Sequence, residues 1–208
     1  MKAVIFDFDG TIADNFTYVH DIVQKLAPKY GFKPEVADDI ASLRNMSMKE
    51  IVVKYHISRF NILRMLLDGR KEMKKHLPET KMPAGLSEVL DSLDQQDTKL
   101  AIISSNSATS IREFLKNNKV GVKIDIYSSL HLFGKAKPIR KYVQNHGFTP
   151  TEVVYVGDEV RDIDSANEAG IPVISVSWGY NSKESLLKNN KLVVDNSAEL
   201  AEAIASLK

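Results

Sequence analysis

The chain has 208 residues, with 28 Lys and Arg against 27 Asp and Glu, and its formal net charge of +1 gives no whole-chain field to draw in nucleic acid or an anionic membrane. The absence of cysteine excludes disulfides, thiolate metal sites and thiol nucleophiles and permits a reducing compartment, so the cytoplasm is the expected location. No apolar run approaches the roughly 20 residues of a membrane-spanning helix, and Asp7 interrupts the first run too early for a signal peptide.

The opening run Ala3-Val4-Ile5-Phe6 is continuous rather than alternating, β-branched and aromatic, and predicts a strand buried on both faces of a parallel sheet. Residues 14–82 then carry no comparable run. Their helical patterns over Tyr18 to Leu26, Met48 to Tyr55 and Phe60 to Met73 predict an all-helical insertion with the length of a lid. Its hinges are expected at Asp14-Asn15 and at Met82-Pro83-Ala84-Gly85. The basic clusters Arg70-Lys71, Lys74-Lys75 and Lys188 to Lys191 read as solvated helix faces and loop ends.

From residue 83 onward strands and helices alternate. A helix over Ser87 to Leu93 precedes a strand at Leu100 to Ile103, and a helix over Ile111 to Leu115 precedes one at Ile124 to Tyr127. Ile139 to His146 ends at Gly147 before the strand Val153 to Val156. Asp162 to Ala169 ends at Gly170 before Val173 to Val176, and a shorter run follows at Leu192 to Val194. The expected fold is therefore α/β, a doubly wound parallel sheet built from residues 1–13 and 83–208, with a helical cap domain at 14–82.

Open α/β sheets bind ligands beyond the carboxyl ends of their strands, so the residues after each run carry the functional information. Strand one ends in Asp7-Phe8-Asp9-Gly10-Thr11, with two carboxylates at alternate positions of an extended segment. Carboxylates at a buried strand end repel one another unless protons or a cation compensate. A second acidic cluster, Gly157-Asp158 with Asp162 one helical turn on, follows the strand Val153 to Val156 and is expected to meet the first at one sheet edge. Hard oxygen donors without nearby His or Cys suit Mg2+. The histidines at 20, 56, 76, 131 and 146 show no zinc-type spacing. Ser104-Ser105-Asn106 opens a helix with hydroxyls and backbone N–H groups suited to phosphate oxygens, and Gly134-Lys135-Ala136-Lys137-Pro138 places cations before another helix.

These four segments, in this order and in these strand contexts, resemble the haloacid dehalogenase-like superfamily of phosphohydrolases over essentially the whole chain. Asp7-Phe8-Asp9-Gly10-Thr11 matches its DxDGT signature, Ser104 its Ser/Thr after strand two, Lys135 its lysine before a helix, and Gly157-Asp158 with Asp162 its acidic motif. The insertion after the first motif and the stretch Trp178-Gly179-Tyr180 are similar to the subgroup that contains phosphoglycolate phosphatase. The chain departs from that subgroup in two places: Lys137 stands as an alternative to Lys135, and Asn15 occupies a position where Ser is common.

The resemblance implies a Mg2+-dependent phosphatase acting on a small phosphorylated metabolite through an aspartyl-phosphate. Asp7 would be the nucleophile, and Asp9 would protonate the leaving group. Ser104, Ser105, Asn106 and Lys135 would hold the phosphoryl oxygens. Metal ligands would be Asp7, the backbone carbonyl of Asp9, and Asp158, with Asp162 binding through water or orienting the ligands. The alternatives within the superfamily are a sugar-phosphate mutase and a phosphonatase. Outside it stand a receiver-like signalling module, against which the helical insertion and Asp9 argue, and an interaction protein on a degenerate scaffold, against which the intact motifs argue. Arg44, Asn45 and Lys49 fall in a polar break of the insertion and are candidates for reading the leaving group.

Overall fold

The structure, a computed structural model, describes residues 1–30, 40–54, 56, 58–128 and 134–207. Six parallel strands, β1 (Ala3–Phe6), β2 (Lys99–Ser104), β3 (Ile124–Ser128), β4 (Val153–Gly157), β5 (Val173–Val176) and β6 (Val193–Val194), form one sheet in the order β3-β2-β1-β4-β5-β6. The order reverses beside β1: the chain winds outward through β2 to β3, then crosses back to place β4 on the other side of β1. A switch point of this kind opens a crevice at the carboxyl ends of the two strands.

The central strands β1 and β4 are short, largely apolar and fully buried because both faces are covered. Val4 and Phe6 of β1, with Ile102, Val154 and Ile174, pack on α5 (Leu86–Gln95), α6 (Ala108–Asn117) and α10 (Ser197–Ser206). The intervening Ala3 and Ile5, with Ile103, Val153 and Tyr155, pack on α7 (Ala136–Asn145), α8 (Val160–Ala169) and α9 (Lys183–Asn189). Each fully buried Ile, Leu or Phe contributes about 1.5–3 kcal/mol relative to exposure, so this two-sided core holds the strand ends in place. Helices α9 and α10 are not among the sequence-based expectations. Their starts are marked locally, by Ser182 accepting from the Ser185 backbone N–H and Asn196 accepting from that of Glu199.

Between β1 and α5 the described elements are helical: α1 (Phe16–Leu26), a 3-10 turn (Ala27–Tyr30), α2 (Ile40–Arg44), α3 (Met48–Lys54) and α4 (Arg59–His76). Ile22, Leu26, Ala27, Tyr30 and Met73 form an apolar cluster of their own where α1 lies on α4. The chain leaves and re-enters the sheet side by side, at an antiparallel bridge between Asp14 and Lys81. Among the described residues no helix is long and apolar enough to cross a membrane.

Candidate active site

In β1, the side chains of Ala3 and Ile5 point to the face covered by α7 and α8, and Asp7 continues that alternation. Its carboxylate meets the N-cap residue of α7: Lys135 Nζ lies 2.5 Å from Asp7 Oδ2 and 2.9 Å from Asp162 Oδ1 on α8, and donates to the Tyr155 hydroxyl at 2.9 Å. Phe8 turns back into the core against Phe114, ring centroids 5.0 Å apart, which separates Asp7 from Asp9. Asp9 Oδ1 accepts from Asn15 Nδ2 at 2.7 Å and Oδ2 from Asn106 Nδ2 at 2.6 Å. Asn15 is itself fixed, its Oδ1 accepting from the Gly10 N–H and the Tyr180 hydroxyl.

Asp158 enters from the end of β4 and is fully buried. Its carboxylate accepts from the Thr11 hydroxyl at 2.7 Å and the Tyr180 N–H at 2.7 Å. Two glycines make room for it: a Cβ on Gly10, whose φ is +74°, or on Gly179 would stand 2.2 Å from Asp158 Oδ2. Asp7, Asp158 and Asp162 each bring one oxygen within 4.8 Å of the others. Lys135 serves Asp7 and Asp162, whereas Asp158 is hydrogen-bonded but has no cationic partner among the described residues. A compact, buried, all-oxygen donor set with an uncompensated charge fits a hard divalent cation. The carboxylate of Asp9 lies outside this trio and faces the two asparagines.

Burial raises the carboxyl of Asp7, to about 7 despite Lys135, and pushes that of Asp158 well above the usual range, with Glu159, Asp7 and Asp162 adding repulsion. Burial also raises Asp9 against the hydrogen bonds from Asn15 and Asn106. Asp162 is pushed up by burial but held below its ordinary value by Lys135 and Arg161. A carboxyl whose native pKa is raised holds protons that the unfolded chain has already released. Its stabilising contribution is complete below the unfolded value of 3.8 and is lost as pH rises through the native value, about 7 for Asp7. Metal-free protein should therefore lose thermal stability as pH rises from about 4 to about 7, by about 2–4 °C in Tm for each kcal/mol lost, and Mg2+ should flatten the slope. A Tm that is constant or rises across this range in EDTA would contradict the buried charge excess.

The remaining expected residues divide. Ser104 is buried and accepts from the Asn106 backbone N–H at 3.0 Å, leaving its own proton to donate. Ser105 and Asn106 line an opening between the β2–α6 turn and α4. Lys137 is exposed on α7, away from the Asp7–Lys135–Asp162 cluster. Arg44 is occupied by backbone: its guanidinium donates to the carbonyls of Gly179 and Tyr180, and its own carbonyl accepts from Ser182 N and Asn181 Nδ2. Asn45 accepts from the Ser182 hydroxyl. The side chain of Lys49, and His131 as a whole, lie outside the described residues.

Comparison with known proteins places the chain in one group. A family model described as haloacid dehalogenase-like hydrolase matches residues 4–176, most of the chain. The chain belongs to the haloacid dehalogenase-like hydrolases. A relative from Synechococcus elongatus, named phosphoglycolate phosphatase, is 30% identical over 100% of this chain and 99% of its own. Among solved structures, a predicted phosphatase from Clostridium acetobutylicum superposes with a TM-score of 0.80 at 21% identity, covering 99% of this chain and 98% of that one. A candidate β-phosphoglucomutase from Thermotoga maritima superposes with a TM-score of 0.68 at 19% identity, with 100% of each chain covered. At these identities the structural likenesses show the fold alone.

Within this haloacid dehalogenase-like framework, sequence reasoning missed the polar residues that hold the carboxylates. Asn15 was expected only as a hinge residue, yet it fixes Asp9, and Thr11 and the Tyr180 N–H fix Asp158. The signal for Thr11 and Asn15 was their place in the turn after β1. Gly179 and Tyr180 come from the loop after β5, the strand beside β4 but distant from Asp158 in sequence, and carried no local signal for this role.

Proposed function

We propose that the chain is a Mg2+-dependent phosphatase of the reducing cytoplasm that hydrolyses a small phosphoglycolate-like monoester through an aspartyl-phosphate on Asp7. The observation that carries this reading is the separation of two neighbouring carboxylates into different environments: Asp7 is paired with Lys135, and Asp9 is held by two side-chain amides. The name of the Synechococcus elongatus relative supports the substrate class.

In this reading Asp7 attacks phosphorus and the bond to the leaving oxygen breaks. Lys135 and the Ser104 hydroxyl bind the phosphoryl oxygens, and Asp9 delivers a proton to the leaving alkoxide. Water then attacks the aspartyl-phosphate, gives its proton to Asp9 and releases phosphate. The raised Asp9 carboxyl suits an acid that must hold its proton until needed. Asn15 is locked by Gly10 and Tyr180, so Asn106 is the amide that can turn to suit either protonation state of Asp9. Mg2+, held by Asp7, Asp158 and the Asp9 carbonyl with Asp162 behind them, would neutralise and align the transferring group. Residues 14–82 act as the lid over this crevice, a role supported by their separate apolar cluster and their paired entry and exit at Asp14 and Lys81.

Turnover of p-nitrophenyl phosphate is expected to vanish in EDTA, return with Mg2+ and fall in excess Ca2+, whose looser shell misaligns the in-line attack. Full activity in chelator would refute the metal assignment. A screen of phosphorylated metabolites should place short phosphorylated carboxylic acids first.

A further inference from the structure

The cations of α4 are not equivalent. Asp68 is shared by Lys29 at 2.6 Å and Lys71 at 3.8 Å, and Glu72 by Lys25 at 3.1 Å and Lys75 at 2.7 Å. Arg70 and Lys74, one helical turn apart, have no carboxylate in ion-pair reach among the described residues. Both line one wall of a cleft of 460 Å³, a volume typical of small-molecule sites, and Ser105, Asn106, Ser107 and Ser110 line the other. Arg70 therefore departs from the solvated helix face that the sequence predicts, whereas Lys74 is exposed as predicted. Arg70 is half-buried, which is costly for a guanidinium without an anion. Burial holds the guanidinium's pKa below its ordinary value, with Asp9 opposing that shift and the like charge of Arg161 adding to it.

Asn106 joins the cleft to the chemistry, because its amide donates to Asp9 Oδ2 while it lines the cleft wall. In the phosphatase reading above, a leaving group protonated by Asp9 would face a space with cations on one side and hydroxyls on the other. We propose that Arg70, assisted by Lys74, is the specificity-determining subsite of this enzyme and selects phosphomonoesters whose leaving group carries a second anionic oxygen group. The orientation of such a substrate rests on the phosphatase reading above. The planar guanidinium takes a carboxylate through two parallel N–H donors, and the serine hydroxyls supply further donors from across the cleft. Anion binding also bridges α4 to the β2–α6 turn, drawing the helical segment onto the sheet.

The test is binding of 2-phosphoglycolate and of ethyl phosphate, its uncharged-tail counterpart, to an Asp7→Asn protein in Mg2+, measured by calorimetry so that no turnover is needed. The expected result is preference for 2-phosphoglycolate by about tenfold or more. Adding Arg70→Gln should collapse that ratio, Arg70→Lys should restore part of it, and Lys75→Gln should leave it intact. Equal affinity for the two esters, equal weakening of both by Arg70→Gln, or binding of neither would overturn the proposal. Intact discrimination in a protein whose wild-type form does not hydrolyse p-nitrophenyl phosphate would overturn the phosphatase reading and leave the subsite standing.

Discussion

Asp7→Asn is expected to lower phosphatase turnover by about 10^4-fold or more while leaving the fold at least as stable as the wild type. The amide keeps the shape of the carboxylate but cannot form the acyl-phosphate bond. The stability expectation follows from burial, which raises the Asp7 carboxyl to about 7 even with Lys135 in contact, so the charged form is a burden at neutral pH. Lys135 loses one partner but keeps Asp162 and the Tyr155 hydroxyl. Single-turnover assays with p-nitrophenyl phosphate and a thermal melt check both halves. Turnover near the wild-type rate would remove Asp7 from the nucleophile's role, and a sharply lower Tm would mean that the Asp7–Lys135 pair outweighs the burial penalty.

The second large effect separates two lysines that the sequence alone left as rivals. Lys135→Ala should cost about 3–5 kcal/mol of stability, since it strands Asp7 and Asp162 in the interior without their cation. It should also cost about 10^2–10^3-fold in turnover by removing a fixed positive charge from the transferring group. Lys137→Ala, on the exposed face of α7, should change stability by less than about 0.5 kcal/mol and turnover little. The sign of the accompanying pH effect is fixed. Without Lys135 the Asp7 carboxyl loses the principal influence opposing burial and rises further, so any residual activity should need a higher pH. A large loss from Lys137→Ala with little from Lys135→Ala would reverse the assignment.

The sequence by itself determined the strands and the acidic ends. Ala3 to Phe6 and Val153 to Val156 are continuous apolar runs because a parallel sheet covered on both faces leaves no solvent side to impose alternation, and the observed strands match those runs within a residue or two. Asp7, Asp9, Asp158 and Ser104 were legible as candidates because a charged or hydroxyl residue directly after such a run is out of place unless it has a ligand or a partner. Only the tertiary structure decided that β4 lies beside β1, which brings Asp158 to Asp7 and sets Lys135 rather than Lys137 between Asp7 and Asp162. It also decided that Gly179 and Tyr180 close around Asp158, and that Arg70 and Lys74 line the cleft while Lys75 pairs with Glu72. The physical reason is the same in each case. Local sequence fixes the period and ends of an element through side-chain shape and backbone hydrogen bonding, but which helix face or loop meets which strand end depends on long-range packing of the whole core.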